Sequence, residues 1–146
     1  MVKLSIIFLL MIPVISLQAQ QSVNTGKDKI AVQGYDVVAY FDDQAIPGTD
    51  ENVSEYEGIR YLFSSAANKA RFDQMPGKYA PQYGGWCAYA MGKTGKYVKI
   101  NPESYKILDD KLFLFYKTKK VNTLTLWNED ELSLYQRADQ NWQSKK

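Results

Sequence analysis

The chain predicts a single α+β domain: a small, mainly antiparallel sheet built of hairpins, with two or three helices. Three observations carry this. Two β-branched and aromatic runs are each folded back at a turn dipeptide, Glu57-Gly58 and Asp109-Asp110. Two polar-capped segments, after Ser65 and near the C-terminus, repeat apolar residues at helical spacing. Aromatic residues are plentiful, with 11 Tyr, 6 Phe and 3 Trp, and their large buried areas suit a compact core in a chain this short.

The elements follow in order. Met1-Val2-Lys3 is a short charged start, Leu4 to Leu17 is apolar apart from Ser5 and Ser16, and Ala19 is a small residue where a signal peptidase would cut. Residues 1–19 are therefore expected to be a signal peptide and the protein to be exported, periplasmic or secreted. The apolar run is shorter than a bilayer span and is broken by Pro13, so no stable membrane span is expected after cleavage. Residues 20–28 are polar and predict a flexible arm; residues 29–146 are the domain. Val37-Val38-Ala39-Tyr40-Phe41 predicts a strand or buried extended segment, and Pro47 to Asp50 a turn.

Ser54 to Phe63 predicts a hairpin whose return strand sets Ile59, Tyr61 and Phe63 on one face. Ser65 is placed to cap a helix from Ala66 to about Gln74, with Ala67, Ala70, Arg71 and Met75 at helical spacing and Met75-Pro76-Gly77 as its stop. Lys78 to Pro81 is a connector. Trp86 to Met91 predicts a short helix ended by Gly92, and Tyr97 to Ile100 a strand. Residues 105–116 predict a second hairpin, its return strand apolar enough to be buried on both faces. The last helix is expected to start at an Asn128 cap with Glu131 as the reciprocal partner and a Trp127–Leu132 staple. Leu132, Tyr135, Ala138 and Trp142 would form its apolar stripe.

Charge excludes one class of partner. Loss of Lys3 with the signal lowers the 18 basic residues to 17, almost matched by 16 acidic ones, so nothing favours nucleic acid. The chain has no His and one Cys, Cys87. Without His there is no Ser-His-Asp or Cys-His arrangement, which points away from an enzyme. A single cysteine cannot form an intramolecular disulfide, so in an exported chain it is either shielded or used.

The segment PQYGGWCAYAMG, residues 81–92, offers two readings of that cysteine. In the first, Gly84 and Gly85 shape the approach to Cys87, Tyr83 and Trp86 wall it, and a helix starting nearby lowers the thiol pKa. Cys87 would then exchange with an external thiol or partner protein, or hold a soft metal ion such as copper with Met91 as a second ligand. Lys78, Lys93 and Lys96 would assist if the fold brought them close. In the second, the domain is a non-catalytic module that binds a small molecule or a protein, and Cys87 is core. A carboxylate hydrolase using Asp36 is a third possibility, but an acid beside a turn is more often a backbone cap.

The segments GYDVVAYF (34–41), YEGIRYLFSSAANKARFDQMPGKYAPQYGGWCAYA (56–90) and YKILDDKLFLFY (105–116) resemble the YHS-domain family, and most closely its exported bacterial branch. The resemblance covers almost the whole of residues 20–146 and includes Asn141-Trp142. It implies handling of heavy metals, which the metal-type members do with cysteines in two segments. Carried over by position, those cysteines fall at Ala39, Ser64 and Asn68, and the proline of the first segment falls at Val37. The multi-thiolate set is therefore missing here. The branch keeps the cysteine at Cys87 and includes selenoproteins; selenocysteine at that position would imply redox or soft-metal reactivity.

Overall fold

A computed structural model describes residues 21–26 and 28–146. The expected signal peptide lies outside the described residues. The fold is α+β; the described residues form two separate two-stranded antiparallel sheets and five α-helices in place of one sheet and two or three helices. The extra helices are short: one forms in the expected connector after Pro76, the other just ahead of the expected C-terminal helix.

The first sheet pairs β1 (Thr49–Tyr56) with β2 (Ile59–Phe63). Its turn is Glu57-Gly58, both with positive φ, as the hairpin prediction requires. β1 begins earlier than expected, because Thr49 already pairs with Phe63 across a bulge. Tyr61, Leu62 and Phe63 are all buried, so β2 is covered on both faces. The second sheet pairs β3 (Asn101–Leu108) with β4 (Lys111–Phe115) through Asp109-Asp110. Leu112 to Phe115 are at most 1 % exposed, matching the two-sided burial expected of that run.

α1 (Ala66–Gln74) has the bounds expected, and Ser65 accepts from the Asn68 N–H at 3.1 Å. Its buried side chain is Phe72, which packs on Tyr61 and Phe63; Ala67, Ala70 and Met75 are exposed. Met75 does end α1, but Pro76 at once opens α2 (Pro76–Tyr79), so the expected connector is partly helical. α3 (Ala88–Thr94) runs past Gly92 and stops at Gly95, which takes the left-handed conformation. Gly92 instead sits against α5: a Cβ there would lie 2.5 Å from the Leu134 carbonyl oxygen.

Two expected strands are absent. Residues 97–100 form no strand, and Ala39–Asp42 is a 3-10 turn rather than extended chain. The physical reason at the second site is Asp36, whose side chain takes the Val38 and Ala39 N–H groups that a strand would offer to a neighbour. The C-terminal helix also starts differently. Asn122, not Asn128, caps α4 (Thr123–Glu129), and Asp130 opens α5 (Glu131–Gln143). Trp127 is fully buried, while Leu132 is 72 % exposed, so no staple forms. Glu131 turns back to accept from the Trp127 indole N–H at 2.9 Å and pairs with Lys106. Leu134 and Ala138 carry the buried face instead.

The apolar residues collect into two clusters. One joins the first sheet, α1, the 3-10 turn and Cys87; the other joins β4, α3, α4 and α5 around Trp127. Each buried aromatic in them contributes about 2–3 kcal/mol of burial free energy.

Candidate functional site

The loop before α3 bends sharply. Tyr83, Gly84 and Gly85 all have positive φ, at 55°, 60° and 78°. The expected close approach at the glycines exists, but its object is the polar N-terminal segment. A Cβ on Gly84 would lie 2.8 Å from the Ser22 carbonyl oxygen and 3.0 Å from the Trp142 ring. The Asn24 N–H donates to the Gly84 carbonyl at 2.8 Å, and its side-chain amide to the Gly85 carbonyl at 2.9 Å. The Trp86 indole donates to the Ser22 carbonyl at 2.9 Å, and the Gln21 amide to the Trp142 carbonyl at 2.6 Å. Where composition predicts a loose arm, residues 21–24 are stitched across the loop.

Cys87 lies behind this loop, at the N-cap of α3 rather than in its first turn. Its side chain is fully buried. The sulfur accepts from the Tyr116 N–H at 3.3 Å and lies 3.4 Å from Thr123 Oγ1. The single Thr123 hydroxyl proton goes to the Tyr116 carbonyl at 2.9 Å, so the thiol S–H is the donor to Thr123. Both hydrogen-bonding roles of the sulfur are thus met inside the fold.

The residues expected around the thiol are spent elsewhere. Met91 is also fully buried, but in the cluster on the Trp127 side. Tyr83 packs on Phe113 and donates to Asp139 at 2.8 Å; burial, then the Asp139 hydrogen bond, pushes its hydroxyl pKa up. Trp86 stacks on Tyr97 at 5.1 Å. Lys78 pairs with Asp110 at 3.1 Å and sits over the Phe41 and Tyr79 rings, while Lys93 and Lys96 are exposed.

A second polar centre is buried at Asp36. Its Oδ1 accepts from the Val38 and Ala39 N–H groups at 2.9 and 3.2 Å. Its Oδ2 accepts from the Ser64 N–H, the Ser64 hydroxyl and the Asn68 amide at 2.8, 2.7 and 2.8 Å. This is the backbone cap foreseen for Asp36, extended to a second segment. Every lone-pair direction of the carboxylate faces a donor, which leaves it no capacity as a base or ligand.

Between the N-terminal segment, the first sheet and the glycine loop lies a cleft of about 290 Å³. Tyr56, Glu57, Ile59 and Tyr61 line it from the hairpin, Ala80, Pro81, Gly84 and Gly85 from the loop, and Trp142 from α5. Spacing alone did not single it out, because its walls come from four distant parts of the chain. The unusual hydroxyl density of YEGIRY was its one visible signal.

Residues 37–83 match the family model of the YHS domain. That stretch of the chain is similar to a YHS domain. No curated protein and no solved structure matches the chain. The YHS match spans the Asp36-centred turn, the first hairpin, α1, α2 and the start of the glycine loop. A YHS domain suggests a metal-related role, and the residues at the metal-type cysteine positions test it here. Ala39, Ser64 and Asn68 do come together, but all three turn donors or backbone onto Asp36. Donor groups repel a cation. No group of three or more His, Cys, Asp or Glu is placed to hold a metal among the described residues. The site does not fit a metal ion, and no helix of the described residues is long and apolar enough to cross a membrane.

Proposed function

We propose that this protein is an exported, non-enzymatic binding module built on a YHS domain, with the cleft as its binding site and Cys87 as part of its core. The observation that carries this reading is the state of the sulfur. Cys87 is 0 % exposed, and its one donor and one acceptor role are both taken up within the fold. A thiol used in redox exchange or in holding copper needs access for a partner sulfur or ion. Met91, the second soft ligand of that alternative, belongs to the other cluster. The cleft, by contrast, is concave, lined by both apolar and polar groups, and near the small end of the range for ligand pockets.

Protein-observed NMR with a library of small, chemically varied molecules tests the reading. Binders are expected to shift the amides of Tyr61, Gly85 and Trp142 and to leave Thr123 and Tyr116 unmoved. The reading fails if no molecule binds saturably, or if the shifts centre on Cys87 and its neighbours.

A further inference from the structure

The cleft has a chemical bias. Tyr61 is only 5 % exposed and lines it, yet no hydrogen bond to its hydroxyl is found among the described residues. That oxygen is not sealed in either, since no enclosed side-chain N or O lacks a partner there. The Tyr61 hydroxyl therefore opens into the cleft with its hydrogen bond unspent, a cost the fold bears unless something fills the site.

The other polar side chains lining the cleft are Glu57, Tyr56, Asn24 and Gln21, none of them cationic. Glu57 is the one charged residue among the described residues that line it. Asn24 and Gln21 each spend one amide N–H on the Gly85 and Trp142 carbonyls, and their side-chain oxygens accept no hydrogen bond among the described residues. No Lys or Arg of the described residues lines it. Beside these stand the apolar surfaces of Val32, Ile59 and Pro81 and the indole of Trp142, whose face attracts cations. Val32 is itself a buried β-branched residue at φ 49°, a conformation costing about 1–3 kcal/mol that concentrates at functional sites.

Building on the binding-module reading, we propose that the cleft takes a small amphipathic organic cation, an alkyl- or arylammonium. Its apolar part lies against Val32, Ile59 and Pro81. Its ammonium group donates to Glu57 and to the Tyr61 hydroxyl oxygen, beside the Trp142 ring. A carboxylate or phosphate ligand would meet Glu57 and a set of carbonyl oxygens with no cation to balance it.

Calorimetric titration with three probes of one shape tests this: phenethylammonium, 2-phenylethanol and phenylacetate. The ammonium is expected to bind about three- to tenfold more tightly than the alcohol, and the carboxylate not measurably. Glu57→Gln, at an exposed hairpin turn where folding is not at stake, should remove that advantage and leave alcohol binding unchanged. Tyr61→Phe should weaken the ammonium and the alcohol alike. Equal binding of the three probes, preference for phenylacetate, or an unchanged ammonium affinity in Glu57→Gln would overturn the inference. So would failure of phenethylammonium to saturate the cleft. If the NMR library still finds neutral or anionic cleft binders, the module reading survives and only the ligand class is lost.

Discussion

At the scale of single residues, three side chains carry the account. Asp36 gathers five donors from two segments, so its removal strands several buried groups at once. Asp36→Asn puts an NH₂ where one oxygen accepted, against the Val38, Ala39 or Ser64 backbone N–H groups, which cannot turn away. A loss of roughly 3 kcal/mol in urea-unfolding stability is expected; a change under about 0.5 kcal/mol would show that the network matters little. Tyr61 gives a pH signature. Burial, then the Glu57 charge and Tyr56, raise its pKa from 10.0 to about 12. The folded state therefore keeps a proton that the unfolded chain releases. This contribution is complete below pH 10 and is lost as pH rises towards 12, by up to about 2 kcal/mol. Urea midpoints measured across that window should fall less steeply in Tyr61→Phe than in the unmodified protein. Cys87 was legible in the sequence as a question only. Its uniqueness and its glycine neighbours are visible in the chain, but the Tyr116 and Thr123 partners that enclose it lie 29 and 36 residues away.

Local chemistry, at the scale of elements, decided how much could be read in advance. The Ser65 cap, the Glu57-Gly58 and Asp109-Asp110 turns and the two hairpins are set by groups within a few residues of each other, and each stands where the pattern predicts. Misreadings arose where a distant or competing partner intervened. Asp36 turned an apparent strand into a 3-10 turn, and Asn122 competed successfully with Asn128 for the cap. Gly92 looked like a helix stop and is a contact point instead. Because a Cβ there would meet the Leu134 backbone, Gly92→Ala must push α3 and α5 apart. The helix gains propensity from alanine, about 1 kcal/mol, so a net loss of stability isolates the packing cost. We expect the melting temperature to fall by several degrees; a rise would mean that the two helices can separate freely.

The whole molecule is a pair of cores bridged by a loop. The glycine loop and residues 21–24 join the first sheet to α5, and the cleft opens where they meet. That arrangement was not legible in the sequence, since a polar segment shows no sign of what it will cross. The metal-related role a YHS domain suggests is likewise decided at this scale. Ala39, Ser64 and Asn68, the positions to which the resemblance carries the metal-type cysteines, converge in space on the Asp36 carboxylate. In the proposed reading the cleft binds and the thiol packs. The most direct measurement of that division is the rate at which a small alkylating reagent modifies Cys87 as urea is raised. The account predicts no reaction in the absence of urea and a rate that follows the global unfolding curve. Modification of the folded protein at a rate near that of a free thiol would contradict it.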